Sequence, residues 1–257
     1  MSGKVQSVER ALGCLEIMTT SHESLSLADI ARVLNAPKSS VLMLLRTLVD
    51  LGYVERGDDD RYAINPALMG YGSGWIGGKQ GVLVRTAWQN LKQLTGSVQE
   101  TCFLAHITSE YALRFLAKVV SPREIRYDVS MRKLSVPHKT ASGRAILAYW
   151  DDERLKAYLT IWSTSNIPKN DRVNPRKLKE QISGIRDTGI ALIVYEWVAG
   201  ATGVSAPVFD SDKKPIAAIT VGAVTARYLA DREQIIDQVK RAADQVSSLL
   251  PRGIKAF

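Results

Sequence analysis

Residues 27–64 spell a helix, a tight turn, a second helix and a short β-hairpin in that order, and no other stretch limits the fold so strongly. Leu27, Ile30, Ala31 and Leu34 fall on one face of the first helix, which Ser26 can cap. Asn35 and Ala36 make the turn. Pro37 stands where the second helix begins, a position at which its missing N–H costs nothing. Val41, Leu44, Leu45 and Leu48 share one side of that second helix and can pack on the first. The other side carries Ser39, Leu42, Met43 and Arg46, with Lys38 and Ser40 at the N-terminal end. Gly52 ends the helix, and residues 53–56 and 61–64 read as two strands around the turn 57–60. The outline is that of a winged helix-turn-helix, whose second helix meets base edges and phosphates. Lys38, Ser39, Ser40, Leu42, Met43 and Arg46 are therefore the expected DNA-binding residues, with Arg56 and Arg61 on the wing. An ordinary helical hairpin would share the apolar periodicity but has no reason to be followed by two strands.

Upstream, Val5, Val8, Leu12, Leu15 and Met18 recur at helical spacing with Ala11 on the same face, so a preceding helix completes a three-helix core. Downstream, six glycines at 70, 72, 74, 77, 78 and 81 interrupt any regular element and mark a boundary. Val82, Leu83, Ala87, Leu91 and Leu94 then form a helical stripe that Gly96 is expected to stop. The organisation read from this is a DNA-binding domain at 1–75, a linker at 76–96 and a second domain at 97–257. In that second domain, strand character appears at 100–107, 112–120, 190–194, 204–208 and 216–221, and helical patterns at 142–150, 153–159, 175–188 and 231–250. The short loop 210–215 favours antiparallel pairing, and the class is α+β.

The formal net charge of +8 invites an inference to nucleic acid, but its distribution corrects it. Residues 1–75 carry seven Lys and Arg against nine Asp and Glu, so the remainder holds the whole excess. DNA contact must then rest on a few placed groups rather than a broad field. The basic excess beyond residue 75 fits an anionic ligand, a second DNA contact or a solvated surface. With 46% hydrophobic and 23% charged residues, the chain is neither disordered nor fibrous. It has no apolar run long enough for a membrane span and no signal-peptide core, which makes the cytosol the expected compartment. Cys14 and Cys102 lie in different modules and are expected to be buried free thiols. Three histidines and two cysteines without ligand spacing predict no metal site and no cofactor.

Enzymatic readings find little footing. Ser73 in Tyr71-Gly72-Ser73-Gly74-Trp75 lacks the flanking glycines of a nucleophile elbow, and Gly78-Lys79-Gln80 lacks the rest of a P-loop. Cys102 with His106 or His138 reads better as a buried thiol and ordinary histidines, so no catalytic residue is assigned. A winged helix that binds another protein is the remaining alternative, and it would show no counterion-release dependence on salt.

The residues resemble the IclR family of bacterial transcriptional regulators over nearly the whole chain. Residues 5–12 (VQSVERAL) look like that family's opening helix. Leu25-Ser26-Leu27-Ala28-Asp29-Ile30-Ala31, Pro37-Lys38-Ser39-Ser40-Val41 and Leu51-Gly52-Tyr53-Val54 look like its helix-turn-helix. Pro137-His138-Lys139-Thr140-Ala141-Ser142-Gly143-Arg144-Ala145, Gly189 followed by Glu196, and Ala206-Pro207-Val208-Phe209-Asp210 are similar to its effector-domain signatures. The resemblance implies a GAF-like effector-binding domain joined by a linker helix to the winged helix, in dimers that commonly pair into tetramers. It also implies a near-palindromic double-stranded DNA operator.

Two departures stand out. Leu42 and Met43 occupy positions where the family often has His and Arg; they either touch thymine methyl groups or are simply tolerated or covered by a neighbouring subunit. Asp58-Asp59-Asp60 at the wing tip would repel phosphate unless the turn points away. Carried over position by position, the family's effector anchors fall on Ala141 and Ser142, Ile193, Gly203, and Thr220 with Gly222, and Thr140 and Gly143 join the expected effector-binding residues at the helix start. Ile193 stands where the family has Asp, and Gly203 where it has Cys, so the resemblance implies a roomier, less polar pocket. A polar group left against Ile193 would pay a desolvation cost. The expected effector is thus an aromatic or otherwise ring-bearing carboxylate, its anionic end against the N–H groups and hydroxyls of residues 140–143. Arg126, Arg132 and Arg144 either assist or lie on the surface.

Overall fold

The computed structural model describes residues 5–21, 23–65, 79–131, 134–196, 198–251 and 254. The glycines at 70, 72, 74, 77 and 78, the Ser73 pentapeptide and Arg132 lie outside that set. The chain divides into two compact units, 1–86 and 87–257. No helix among the described residues is long and apolar enough to cross a membrane.

The first unit runs α1 (Gln6–Thr20), β1 (Leu25–Ser26), α2 (Leu27–Val33), α3 (Lys38–Asp50), β2 (Val54–Arg56) and β3 (Arg61–Ile64). Its three strands pair antiparallel in the order β1-β3-β2, with Leu25 opposite Tyr62 and Val54 opposite Ile64. Cys14, Leu15, Met18, Ile30, Ala31, Val41, Leu45, Leu48, Val54, Tyr62 and Ile64 make the core. Leu45 makes no contact with water, and truncating such a residue to alanine costs about 2–5 kcal/mol.

The expected stripe of α1 is only half realised. Leu15 and Met18 are buried, whereas Val5, Val8 and Leu12 are 62%, 55% and 48% exposed. The buried residues lie in the C-terminal half, against α3 and β3, and at Gly13 an added Cβ would stand 2.8 Å from Leu34 Cδ2. Periodicity identifies the apolar face of a helix but not how far along it the partner extends.

In the second unit, α4 (Lys79–Val98) spans the division and leads into a five-stranded antiparallel sheet ordered β5-β4-β8-β7-β6. The strands are β4 (Thr101–Ile107), β5 (Leu113–Val119), β6 (Ala191–Val194), β7 (Ala201–Phe209) and β8 (Pro215–Val224). The helices are α5 (Ala141–Leu147), α6 (Asp152–Trp162), α7 (Pro175–Thr188), α8 (Thr225–Ala230) and α9 (Arg232–Leu249), with a 3₁₀ turn at Pro137–Lys139. β8 is buried from Pro215 to Ala223, so both of its faces are covered, and α5 and α9 pack on it and on β7.

Gly96 does not stop α4, which continues to Val98. Gly96 is exposed with open space around it, and Thr95 and Val98 on the packed side are buried, so packing carries the helix past the glycine. β7 begins at Ala201, three residues before its expected start. Ala201, Thr202 and Gly203 carry little apolar signal but pair with Val224, Ala223 and Gly222 of β8. α8, with Thr225 and Tyr228 buried, was not anticipated.

Candidate functional site

Two sets of candidate residues stand out, one in each unit. In the first, Ser26 and Asp29 form a reciprocal cap: Ser26 Oγ accepts from the Asp29 N–H at 3.2 Å, and Asp29 Oδ2 accepts from the Ser26 N–H at 3.3 Å. The Ser26 hydroxyl also donates to Asp29 Oδ2 at 2.6 Å, and this bond chiefly holds the Asp29 carboxyl below the usual range. Asn35 takes a left-handed φ of 45° to close the turn. Gly52, at φ 73°, ends α3 where a Cβ would stand 3.1 Å from the Arg85 carbonyl oxygen; only glycine fits both conditions.

These anchors leave one side of α3 in solvent. Lys38, Ser39 and Arg46 are exposed, Met43 is 70% exposed, and Ser40 and Leu42 are half-buried. Thr47 is exposed one turn beyond Met43, its hydroxyl donating to the Met43 carbonyl at 3.0 Å; the i+4 spacing would have found it. The wing arginines are less free than their positions imply. Arg56 pairs with Asp60 at 2.7 Å, which offsets its charge, and Arg61 Nε donates to the Ser24 carbonyl at 2.9 Å, tying β3 to the segment before α2.

The second set surrounds a cavity of about 240 Å³ between α5, the sheet and the segment after β5. Thr140, Ala141, Ser142, Ile193, Gly203, Thr220 and Gly222 line it, as do Phe103, Phe115, Tyr127, Val198 and Lys139, which sequence reasoning left out. The aromatic residues belong to elements far apart in the chain, so no periodicity connects them. Lys139 did stand inside the quoted 137–145 signature.

Gly143 is a correction, because it does not line the cavity. A Cβ there would stand 2.1 Å from the Pro137 carbonyl oxygen, so this glycine lets α5 close on the 3₁₀ turn. Its N–H donates to Thr140 Oγ1 at 3.0 Å, and the Thr140 hydroxyl donates to the Pro137 carbonyl at 3.0 Å. Two donors expected to face an anion are therefore spent within the cap, the Gly143 N–H on the Thr140 side chain and the Thr140 hydroxyl on the Pro137 carbonyl.

Three further hydroxyls form a directed chain. Ser205 donates to the Ile219 carbonyl at 3.1 Å, so its oxygen accepts from Thr220 at 2.8 Å, and Thr220 in turn accepts from Ser142 at 2.8 Å. The direction is fixed by the carbonyl at its end, and Ser142 is left presenting lone pairs.

Of the arginines considered, the two that are described, Arg144 and Arg126, are engaged elsewhere. Arg144 Nε donates to the His138 carbonyl at 2.7 Å, and its guanidinium pairs with Glu196 at 2.8 Å, lining a separate polar cleft. Arg126 is exposed and donates to the Arg123 carbonyl at 3.1 Å. Among the described lining residues, the one cationic side chain is Lys139, whose Nζ also meets Asp171 at 2.6 Å.

Burial pushes the Cys14 thiol up to about 11 and the Cys102 thiol up to about 12, so neither presents a thiolate near neutrality. Both are free and buried. His138 Nδ1 lies 2.6 Å from the Tyr158 hydroxyl, and burial, then Lys139 and Arg144, lower its pKa to about 4. Among the described residues, no group of three or more His, Cys, Asp or Glu could hold a metal ion.

Residues 7–58 match the IclR helix-turn-helix domain, and residues 80–248 match the bacterial transcriptional regulator IclR C-terminal domain. The transcriptional regulator BhcR of Paracoccus denitrificans is 28% identical over 254 residues, spanning 98% of this chain and 90% of that one. The crystal structure of Thermotoga maritima IclR superposes with a TM-score of 0.62 at 25% identity, covering 96% of this chain and 99% of that one. An IclR homologue from Microbacterium hydrocarbonoxydans, crystallised with 4-hydroxybenzoate, shares the fold at a TM-score of 0.59 and 19% identity, covering 95% and 98%. The matched families and named relatives are transcriptional regulators, not enzymes.

Proposed function

The chain belongs to the IclR family of bacterial transcriptional regulators, ligand-responsive proteins that bind DNA, and from that premise we propose that its effector is an aromatic or ring-bearing carboxylate. The observation that carries the reading is the cavity itself: about 240 Å³ walled by Phe103, Phe115, Tyr127, Ile193 and Val198, with Lys139 on its lining. An engineered apolar cavity of about 150 Å³ already holds benzene, so this one accommodates a ring with one or two small substituents. A two- or three-carbon acid would leave most of those walls without contact. The carboxylate lies toward Lys139 and the N–H groups of Ala141 and Ser142, which as the first two residues of α5 have no acceptor within the helix. Ser142, with its proton committed to Thr220, accepts from a ring hydroxyl or N–H. The bound 4-hydroxybenzoate of the Microbacterium homologue is a molecule of this description.

On the same reading, residues 1–75 bind DNA, 76–96 link, and 97–257 sense the effector in the cytoplasm, controlling genes for that acid's metabolism. Lys38, Ser39, Ser40 and Arg46 contact phosphates and base edges, and Leu42 and Met43 meet thymine methyl groups. Arg56 and Arg61 flank the wing. A homodimer or tetramer matches a near-palindromic operator. Calorimetric titration with benzoate, 4-hydroxybenzoate, pyruvate and glyoxylate tests the effector class. Binding of the aromatic acids is expected, and binding of the short acids alone overturns it.

A further inference from the structure

Tyr127 sits in the segment between β5 and the Pro137–Lys139 turn, and its ring occupies a notch that exists because residue 222 is glycine. A Cβ on Gly222 would stand 2.4 Å from Tyr127 Cδ1, 3.0 Å from Tyr127 Cε1 and 3.0 Å from Phe103 Cε2. The Tyr127 ring meets Phe103 edge-on at 6.0 Å between centroids, and Phe103 meets Phe115 at 5.1 Å. These spacings fall in the range in which aromatic pairs attract, and the three rings form one continuous wall of the cavity.

That wall is held at both ends. Two residues before Tyr127, the Ile125 carbonyl accepts from Arg227 Nη2 at 2.9 Å. The same guanidinium binds both carboxylate oxygens of Glu100, which is 1% exposed. Two residues after Tyr127, the Val129 carbonyl accepts from Lys118 Nζ at 2.9 Å, and that ammonium also pairs with Asp128. A side chain clamped through the backbone on either side is fixed in position rather than adapting to what enters.

We propose that Tyr127 is the residue that determines effector specificity, a rigid wall that restricts the cavity to a single ring. The inference rests on the reading of the cavity as a site for aromatic carboxylates. Gly222 is its counterpart, the absence of a side chain that the tyrosine requires.

The test uses the full-length protein, Tyr127→Ala, Gly222→Ala and the double variant, titrated with benzoate and 2-naphthoate. The wild type is expected to bind benzoate and discriminate against the two-ring acid, and Tyr127→Ala to shift that preference toward 2-naphthoate by about tenfold or more, the scale set by small changes in pocket volume. Gly222→Ala alone is expected to lose benzoate affinity as the ring is displaced, and to cost much less when Tyr127 is already alanine. A preference unchanged in Tyr127→Ala overturns the proposal. If no protein binds either acid, the aromatic-carboxylate reading fails on its own, and thermal melting without ligand still reads the seat of the ring. Gly222→Ala should lower the melting temperature by several degrees in the presence of Tyr127 and by less in its absence, where only the 3.0 Å approach to Phe103 remains; additive effects would overturn it.

Discussion

Helix α3 buries Val41, Leu45 and Leu48 and presents Lys38, Ser39, Met43 and Arg46 to water, whereas the cavity of the second unit is walled largely by apolar side chains and its hydroxyls are bonded to one another and to the backbone. Lys38, Ser39 and Arg46 stand exposed on a single thirteen-residue helix. Around the cavity, Thr140 is tied to Pro137, and Ser142 and Ser205 to Thr220. The contrast teaches that the two surfaces are governed by different physics. On the proposed reading, DNA binding at α3 would depend on charge and be open to screening by salt, while binding in the cavity would depend on shape and on which hydrogen-bonding atoms remain uncommitted.

If that contrast is right, acid should damage the second unit first. His106 and His138 are each held neutral to about pH 4, mainly by burial, against an ordinary value near 6.5. Above pH 6.5 both states are neutral at these positions and stability does not depend on them. As pH falls from 6.5 to 4, the unfolded chain takes up protons that the folded chain refuses, so stability declines across that window and levels off below it, by about 3 kcal/mol per imidazole. Urea titrations at several pH values should show uptake of up to two protons on unfolding there, and a flat profile would break the comparison.

Gly143→Ala comes next, since its Cβ overlaps the Pro137 carbonyl; a loss of about 3 kcal/mol is expected from overpacking, read as a fall in melting temperature. Gly184→Ala is the control, because a Cβ there meets nothing within 4 Å and helix propensity favours alanine by about 1 kcal/mol.

On the DNA side, Lys38→Ala or Arg46→Ala should weaken operator binding and each lower the slope of log affinity against log salt by about one, leaving effector titrations unchanged. An unaltered slope would remove α3 from the interface. The smallest effect belongs to Met43. Replacing a contacted thymine by uracil should cost the wild type about 0.8 kcal/mol and Met43→Ala nothing, as measured by competition binding.

The sequence disclosed α3 because a helix displays its faces at a spacing of three and four residues, so Val41, Leu45 and Leu48 could be separated from Ser39, Met43 and Arg46 without knowing any partner. The cavity resisted the same treatment. Phe103, Tyr127 and Gly222 come from β4, the segment after β5 and β8, and only the sheet order β5-β4-β8 brings them together. The resemblance to a family supplied the positions on α5, β6, β7 and β8 but not the aromatic wall, and the expectation of an anion along residues 140–143 included Gly143, whose missing side chain permits a close approach to Pro137. The Val5-Val8-Leu12 stripe reads as core in sequence but is exposed in the fold, because periodicity does not tell where a neighbouring element ends.

The two surfaces must also communicate, since an effector alters DNA affinity only by the difference in its own affinity for free and bound protein. The direct measurement is a linkage pair: affinity for duplex DNA from upstream of the encoding gene with and without 4-hydroxybenzoate, and affinity for the acid with and without that DNA. Equal ratios, on the order of 5- to 150-fold, are expected. Acid that binds while leaving DNA affinity untouched would contradict effector-gated DNA binding.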